Sequence, residues 1–131
     1  MILSIGLDTI EIQRFKNWHK FNTTQLKKIY QAEEIEYCLE NQTKSAERLA
    51  IRFAAKEAAY KAINSLLKER ISFFKFCKVV KITRNKNSEP LLIIDWKKLN
   101  LNFDSKKILI KISLTHSKTI ATAIVLFEYL A

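Results

Sequence analysis

Two segments far apart in the chain carry the residues best suited to chemistry. Ile5-Gly6-Leu7-Asp8-Thr9-Ile10-Glu11-Ile12-Gln13-Arg14 ends an apolar stretch in a carboxylate and reaches an arginine six residues later. Arg52-Phe53-Ala54-Ala55-Lys56-Glu57-Ala58-Ala59-Tyr60-Lys61 brackets a glutamate with lysines in a run of alanines. On a helix turning about 100° per residue, Glu57 and Lys61 share a face one turn apart, with Phe53 a turn earlier. Arg48, Arg52 and Lys56 then form a separate basic row. Alanines on either side of Glu57 let other backbones come close, which places its carboxylate in a crevice. Two carboxylates with cations nearby suit Mg²⁺, which takes one or two carboxylates and completes its shell with waters and substrate phosphates. Competing readings are an N-cap for Asp8, the more common role of such a residue, and an ordinary i,i+4 surface pair for Glu57. In Thr115-His116-Ser117-Lys118, at a hairpin turn, His116 is placed to donate hydrogen bonds to a diphosphate, with Lys118 as a second cation.

The chain that must position these residues has 131 residues, 48% of them apolar, which is enough for one small core. A single glycine and a single proline argue against linkers, so one domain over residues 1–131 is expected. Lys and Arg exceed Asp and Glu by 23 − 13 = 10, which favours an anionic partner. Cys38 and Cys77 form no CxxC pair and read as reduced thiols of a cytosolic protein. No basic-then-apolar leader opens the sequence, and no apolar run approaches the roughly 20 residues of a bilayer span. A soluble, cytoplasmic protein is therefore expected, with no membrane partner.

Met1 to Leu7 reads as a strand buried on both faces. Asp8 or Thr9 then opens a helix to about Lys20, with Ile12, Phe15 and Trp18 or His19 at helical spacing. Further helices are expected from Asn22 or Thr23 to Ile29, from Glu33 to Leu39, and from Ser45 to about Leu66, the last rich in alanine and free of Gly and Pro. Cys77–Thr83 and Leu91–Ile94 read as a hairpin around the turn Asn85–Pro90, followed by a short helix at 97–101. Lys107–Thr115 alternates apolar and polar residues, and Ile120–Phe127 returns as its partner strand. The class is α+β with an antiparallel sheet.

Three stretches in this order resemble the holo-(acyl-carrier-protein) synthases, the short AcpS-type 4′-phosphopantetheinyl transferases. They are Gly6-Leu7-Asp8 with Arg14, Arg52-Phe53-Ala54-Ala55-Lys56-Glu57-Ala58 with Lys61, and Ile112-Ser113-Leu114-Thr115-His116-Ser117. The resemblance spans the whole chain. It implies a long central helix packed on an antiparallel sheet, assembled as a homotrimer with active sites between subunits. It implies Mg²⁺-dependent transfer of 4′-phosphopantetheine from coenzyme A to a serine of apo acyl carrier protein, in fatty acid biosynthesis, releasing adenosine 3′,5′-bisphosphate. By the same resemblance Asp8 and Glu57 are metal ligands and Lys61 a catalytic-site lysine. Arg52, Lys56, Thr115 and His116 surround the coenzyme A phosphates, and Arg14, with Trp18 and Phe21 continuing its row, docks the carrier protein.

Two departures from the family pattern stand out. Asn64-Ser65-Leu66-Leu67-Lys68-Glu69-Arg70 holds no glycine where the family has a glycine-containing loop, so only Asn64 reaches φ > 0 cheaply there. The docking row also leans on aromatic residues and on Lys16, Lys20, Lys27 and Lys28. Two rivals are a nucleic-acid-binding module, suggested by the charge but lacking any RNP, KH, zinc-finger or helix-turn-helix signature, and a non-catalytic scaffold of the same fold.

Overall fold

The computed structural model describes residues 1–130. Its elements are β1 (Ile2–Glu11), α1 (Thr23–Leu26), α2 (Ala32–Leu39), α3 (Ser45–Ile63), α4 (Phe73–Cys77), β2 (Val80–Arg84), β3 (Pro90–Ile94), β4 (Ile108–His116) and β5 (Ile120–Tyr129), joined in part by short 3₁₀ turns. β1, β5 and β4 form an antiparallel sheet in that order, and β2 with β3 forms a separate hairpin. α3 lies across the inner face of the three-stranded sheet. Ala50, Ala54, Ala55, Ala58, Ala59 and Ala62 are all buried, and they meet Ala121, Ala123, Val125 and Phe127 of the central strand in one core.

Small side chains on both layers allow unusually close approach. Gly6 sits where β1 passes beneath α3, and a Cβ there would lie 1.8 Å from the carbonyl oxygen of Ala58. Ser4 donates its hydroxyl to the carbonyl of Ala62 at 2.9 Å, closing the same contact. The obstacle to a larger residue is backbone, which cannot swing aside as a side chain can. Gly6→Ala is therefore expected to force strand and helix apart, costing about 2–3 kcal/mol and lowering Tm by roughly 10 °C. An unchanged melting curve would refute the contact.

Several local expectations give way to longer-range contacts. β1 does not end at Leu7 but runs to Glu11, pairing Asp8 with Ala123 and Ile10 with Ala121. Asp8 is thus a mid-strand residue and not a helix cap. Instead of a helix to Lys20 there are two 3₁₀ turns, Ile12–Phe15 and Trp18–Lys20, with Ile12 and Phe15 buried as the spacing suggested. Nor is β1 covered on both sides: Ile5 and Leu7 are each 58% exposed on the outer face of the sheet. Cys77 ends α4, whose N-cap Ser72 accepts from the Lys75 amide, so the strand begins only at Val80. The 64–70 stretch needs no left-handed residue. Asn64 has φ −58° and opens a 3₁₀ turn, Leu66 and Leu67 are buried, and Leu67 bridges to Leu101. Positive φ falls instead at Ser88, in the β2–β3 turn.

Both cysteines are free and buried. Burial pushes the thiol of Cys38 up to about 11 and that of Cys77 up to about 12, so both stay protonated and unreactive at neutral pH. No helix among the described residues is long and apolar enough to cross a membrane.

Candidate active site

The β1–α3 contact brings the two chemical segments together. Lys61 reaches from α3 to β1, where its ammonium donates to Asp8 Oδ1 and to the carbonyl of Leu7, both at 3.1 Å. Asp8 is largely buried and Lys61 half exposed, so this pair looks out to solvent on one side only. Glu57 lies one turn before Lys61 and takes part in none of the hydrogen bonds or ion pairs among the described residues. Burial raises its carboxyl above the ordinary value, the neighbouring Asp8 charge raises it further, and Lys61 offsets part of the effect. Two carboxylates held close enough to repel, with one lysine between them, form a site that gains from a further cation.

A second polar concentration lies on the other flank of α3. A cleft of about 200 Å³ is lined by Lys44, Glu47, Arg48, Arg52, Arg84 and His116, among others. Arg48 and Arg52 stack over the Tyr37 ring, their guanidinium carbons 4.1 and 4.4 Å from its centroid. Arg48 is further held by the Tyr37 carbonyl at 2.8 Å and by Glu40 at 3.1 Å. Arg52 is buried, yet its Nε has no hydrogen-bond partner. Two stacked guanidiniums lining one cleft give it a positive charge suited to an anion. His116 Nε2 faces Glu47 at 3.1 Å across the cleft.

Two of the expected phosphate-binding residues are not in this cleft. Lys56 is fully buried, and its ammonium is bound to Glu34, so it cannot reach a solvent-borne phosphate. The reason is geometric: residues four apart drift about 40° around a helix, so the row that begins at Lys44, Arg48 and Arg52 has turned into the core by Lys56. Thr115 lies between Leu114 and His116, which both line the cleft, and alternation sends it to the opposite face of the sheet. The docking row holds together differently from a helix face. Arg14 and Phe21 are exposed, while Trp18 is partly buried, packed at a tilt on Phe15 at 4.2 Å and edge-on to Phe53 at 6.0 Å. Through Phe53 the aromatic patch adjoins α3 one turn before Glu57.

The sequence model of the 4′-phosphopantetheinyl transferase superfamily matches residues 4–125. The chain belongs to that family. Among phosphopantetheinyl transferase relatives, the holo-(acyl-carrier-protein) synthase of Treponema denticola is 34% identical over 98% of this chain and 99% of its own length. Similarity extends to solved structures. A holo-(acyl-carrier-protein) synthase from Bacillus anthracis in complex with CoA (3′,5′-ADP) aligns with a TM-score of 0.73 at 27% identity, over 98% of both chains. The Helicobacter pylori holo-(acyl-carrier-protein) synthase in complex with coenzyme A aligns with a TM-score of 0.70 at 25% identity, over 95% of this chain and 99% of that one.

Within this phosphopantetheinyl transferase, sequence reasoning missed the cleft residues Lys44, Glu47, Tyr37 and Arg84, and the buried partner Glu34. For Lys44 the signal was present, since it stands four residues before Arg48. For Glu34 there was none, because its lysine lies 22 residues on in another helix.

Proposed function

We propose that this chain is a holo-(acyl-carrier-protein) synthase. It transfers 4′-phosphopantetheine from coenzyme A to a serine of apo acyl carrier protein, in fatty acid biosynthesis in the cytoplasm. The serine hydroxyl gives its proton to a base, either a water or one of the two carboxylates, as its oxygen bonds to the β-phosphorus, and the bridging P–O bond breaks to release adenosine 3′,5′-bisphosphate. The observation that carries the reading is the Asp8–Glu57–Lys61 cluster at the β1–α3 contact of a chain in this family.

The donor set fits Mg²⁺. No group of three or more His, Cys, Asp or Glu converges among the described residues, so a cation held by Asp8 and Glu57 draws the rest of its shell from water or substrate phosphate. When bound, Mg²⁺ would polarise the diphosphate and offset the charge of the leaving bisphosphate. Lys61 holds the Asp8 carboxylate in place and presents an exposed ammonium to the same phosphates. Arg52, Arg48 and His116 suit the nucleotide's remaining phosphate charge, since the arginines are pre-stacked and need little ordering on binding.

The placing of these two halves supports a homotrimer with sites shared between subunits. Arg48 is nine residues from Glu57, about 180° around the helix. The carboxylate cluster flanks edge strand β1 and the cleft flanks edge strand β4, with α3 between them. One subunit offers each half to a different neighbour, and the uncovered outer face with Ile5, Leu7, Leu109 and Ile124 provides apolar surface for the contact.

The test is direct. Apo carrier protein incubated with the enzyme, coenzyme A and Mg²⁺ is expected to gain the mass of phosphopantetheine on its serine. A carrier that binds but gains no mass would reduce the chain to a scaffold. Carrier capture is expected to depend on Arg14 and the aromatic patch beside it. Arg14→Glu should raise the KM for carrier on the order of tenfold, mostly through slower association, with the loss fading at high salt. An equal rise in the KM for coenzyme A would move Arg14 into the nucleotide site.

A further inference from the structure

The most deeply buried charges in the molecule belong to Lys56, the chain neighbour of Glu57, and its partner Glu34. Lys56 is 0% exposed. Its ammonium donates to Glu34 Oε1 at 2.6 Å, to the Ile29 carbonyl at 2.7 Å and to the Val80 carbonyl at 3.4 Å. The Glu34 carboxylate also accepts the backbone N–H groups of Gln31 at 2.8 Å and Ile82 at 3.1 Å. The pair therefore ties α3 to α2, to the segment before α2, and to β2 at one point.

Stability is a weak reason for such a pair. Desolvation cancels most of the attraction between buried charges, and apolar replacements of equal volume are often no less stable. Geometry supplies a stronger reason. α3 meets the sheet through alanines on about half of its circumference, and methyl groups give that surface little relief to lock into ridges and grooves. The alanine packing on the sheet fixes how close α3 comes more tightly than its rotation, which also depends on polar contacts such as Ser4 with Ala62 and Lys61 with Asp8. Side-chain ends ride at a radius of about 5–6 Å, so a 20° rotation would carry the Glu57 carboxylate about 2 Å. Misplacement by 1 Å can cost on the order of 100-fold in rate.

Resting on the reading of Asp8 and Glu57 as a metal pair, we propose that the buried Lys56–Glu34 ion pair positions this site. Lys56 sets the rotation of α3 about its own axis and thereby aims its chain neighbour Glu57, and Lys61 beyond it, at Asp8. The pair touches neither substrate nor metal. It acts through the helix.

The experiment uses the double variant Glu34→Gln with Lys56→Met, which removes both charges, keeps the side-chain lengths and leaves an amide oxygen for one of the two backbone donors. Mn²⁺ serves as the probe ion, its binding followed by electron paramagnetic resonance in the presence of coenzyme A, beside thermal unfolding and the KM for carrier protein. A folded variant with Tm within a few degrees of wild type, Mn²⁺ affinity at least tenfold weaker and an unchanged carrier KM is expected. Wild-type Mn²⁺ affinity in the folded double variant overturns the proposal. If the double variant does not fold, Glu34→Gln alone carries the test: weakened Mn²⁺ binding supports the positioning role and undiminished binding overturns it. Glu57→Gln is the control. If wild-type Mn²⁺ binding is indifferent to that change, the metal reading fails and this inference fails with it.

Discussion

Glu57→Gln is expected to lower kcat at saturating coenzyme A by two orders of magnitude or more, about 3 kcal/mol of transition-state stabilisation. The substitution keeps the shape of the side chain and removes half of the protein charge facing the cation. The fold should not suffer. Ionised Glu57 is disfavoured by burial and by Asp8, so its folded carboxyl titrates above its unfolded value. Such a group contributes stability that is fully present below the unfolded pKa and lost as pH rises through the folded pKa. The metal-free Gln variant should therefore melt at or above the wild-type temperature near pH 7, with any advantage shrinking in acid. Added Mg²⁺ should raise the wild-type Tm and leave that of the variant nearly unmoved. Because protonated Glu57 is a poor ligand and its carboxyl is raised in the metal-free site by burial and by Asp8, Mg²⁺ affinity should fall as the pH drops into the acid range. Asp8→Asn should match the rate loss. It sits mid-strand with only a half-exposed lysine as partner, so no helix cap is lost and the stability cost is small. The double variant should be scarcely slower than either single one, since residues serving one ion act as a unit. Near-normal turnover by Glu57→Gln, or losses that add, would sink the shared-ion site.

The second large effect is expected far from any charged group. Ile5→Lys and Ile124→Lys place an ammonium on the outer face of the three-stranded sheet, where each wild-type residue is exposed in the single chain. If that face is the subunit contact, burying an unpaired lysine there is prohibitive. Each variant should then sediment near 15.3 kDa, the mass of one chain, with its circular dichroism retained. Transferase activity should fall at least about 100-fold, because the loss of half the groups around the reacting phosphates is comparable to loss of the ion itself. Mixing separates this from simple misfolding. Subunits carrying Glu57→Gln and subunits carrying Arg48→Ala, each impaired alone, should regain activity when exchanged into common trimers, since intact halves then meet at some interfaces. Fully active Ile5→Lys monomers would place both halves of the site within one chain.

What the sequence revealed and what it hid follow from the range of the interactions involved. α3 was legible because alanine-rich composition and the absence of Gly and Pro are local properties. β4 and β5 were legible because alternation is local too. Asp8 was misplaced in its element because Asp-Thr before an apolar-periodic stretch resembles a helix start. The competing force was the pairing of Asp8 with Ala123 and of Ile10 with Ala121, more than a hundred residues away. Asp8, Glu57 and Lys61 were nonetheless assembled correctly, since a strand end and a strand interior leave that carboxylate on the same side of the helix. Lys56 was misread for the opposite reason. Nothing near it in sequence marks Glu34 as its partner, and an i,i+4 row of cations looks solvated until another helix packs over its far end. Cys77 looked like the start of a strand, and the helix opened by the Ser72 cap took it instead.

The Gly6–Ala58 contact has a consequence for how this molecule tolerates change. Backbone meets backbone there, with no side chain between, so the spacing of β1 and α3 has a hard stop that repacking elsewhere does not alter. Leucines and isoleucines in the distant core can be exchanged while the Asp8 and Glu57 main chains stay at the same separation. The spacing of the two reactive elements, as distinct from the rotation set by Lys56 and Glu34, is thus insulated from most substitutions, and its vulnerability is concentrated in a few positions of very small volume. Random mutagenesis scored by activity should return a map in which Gly6, Ala58 and Ala62 are as intolerant as the carboxylates, although none of the three carries a functional group.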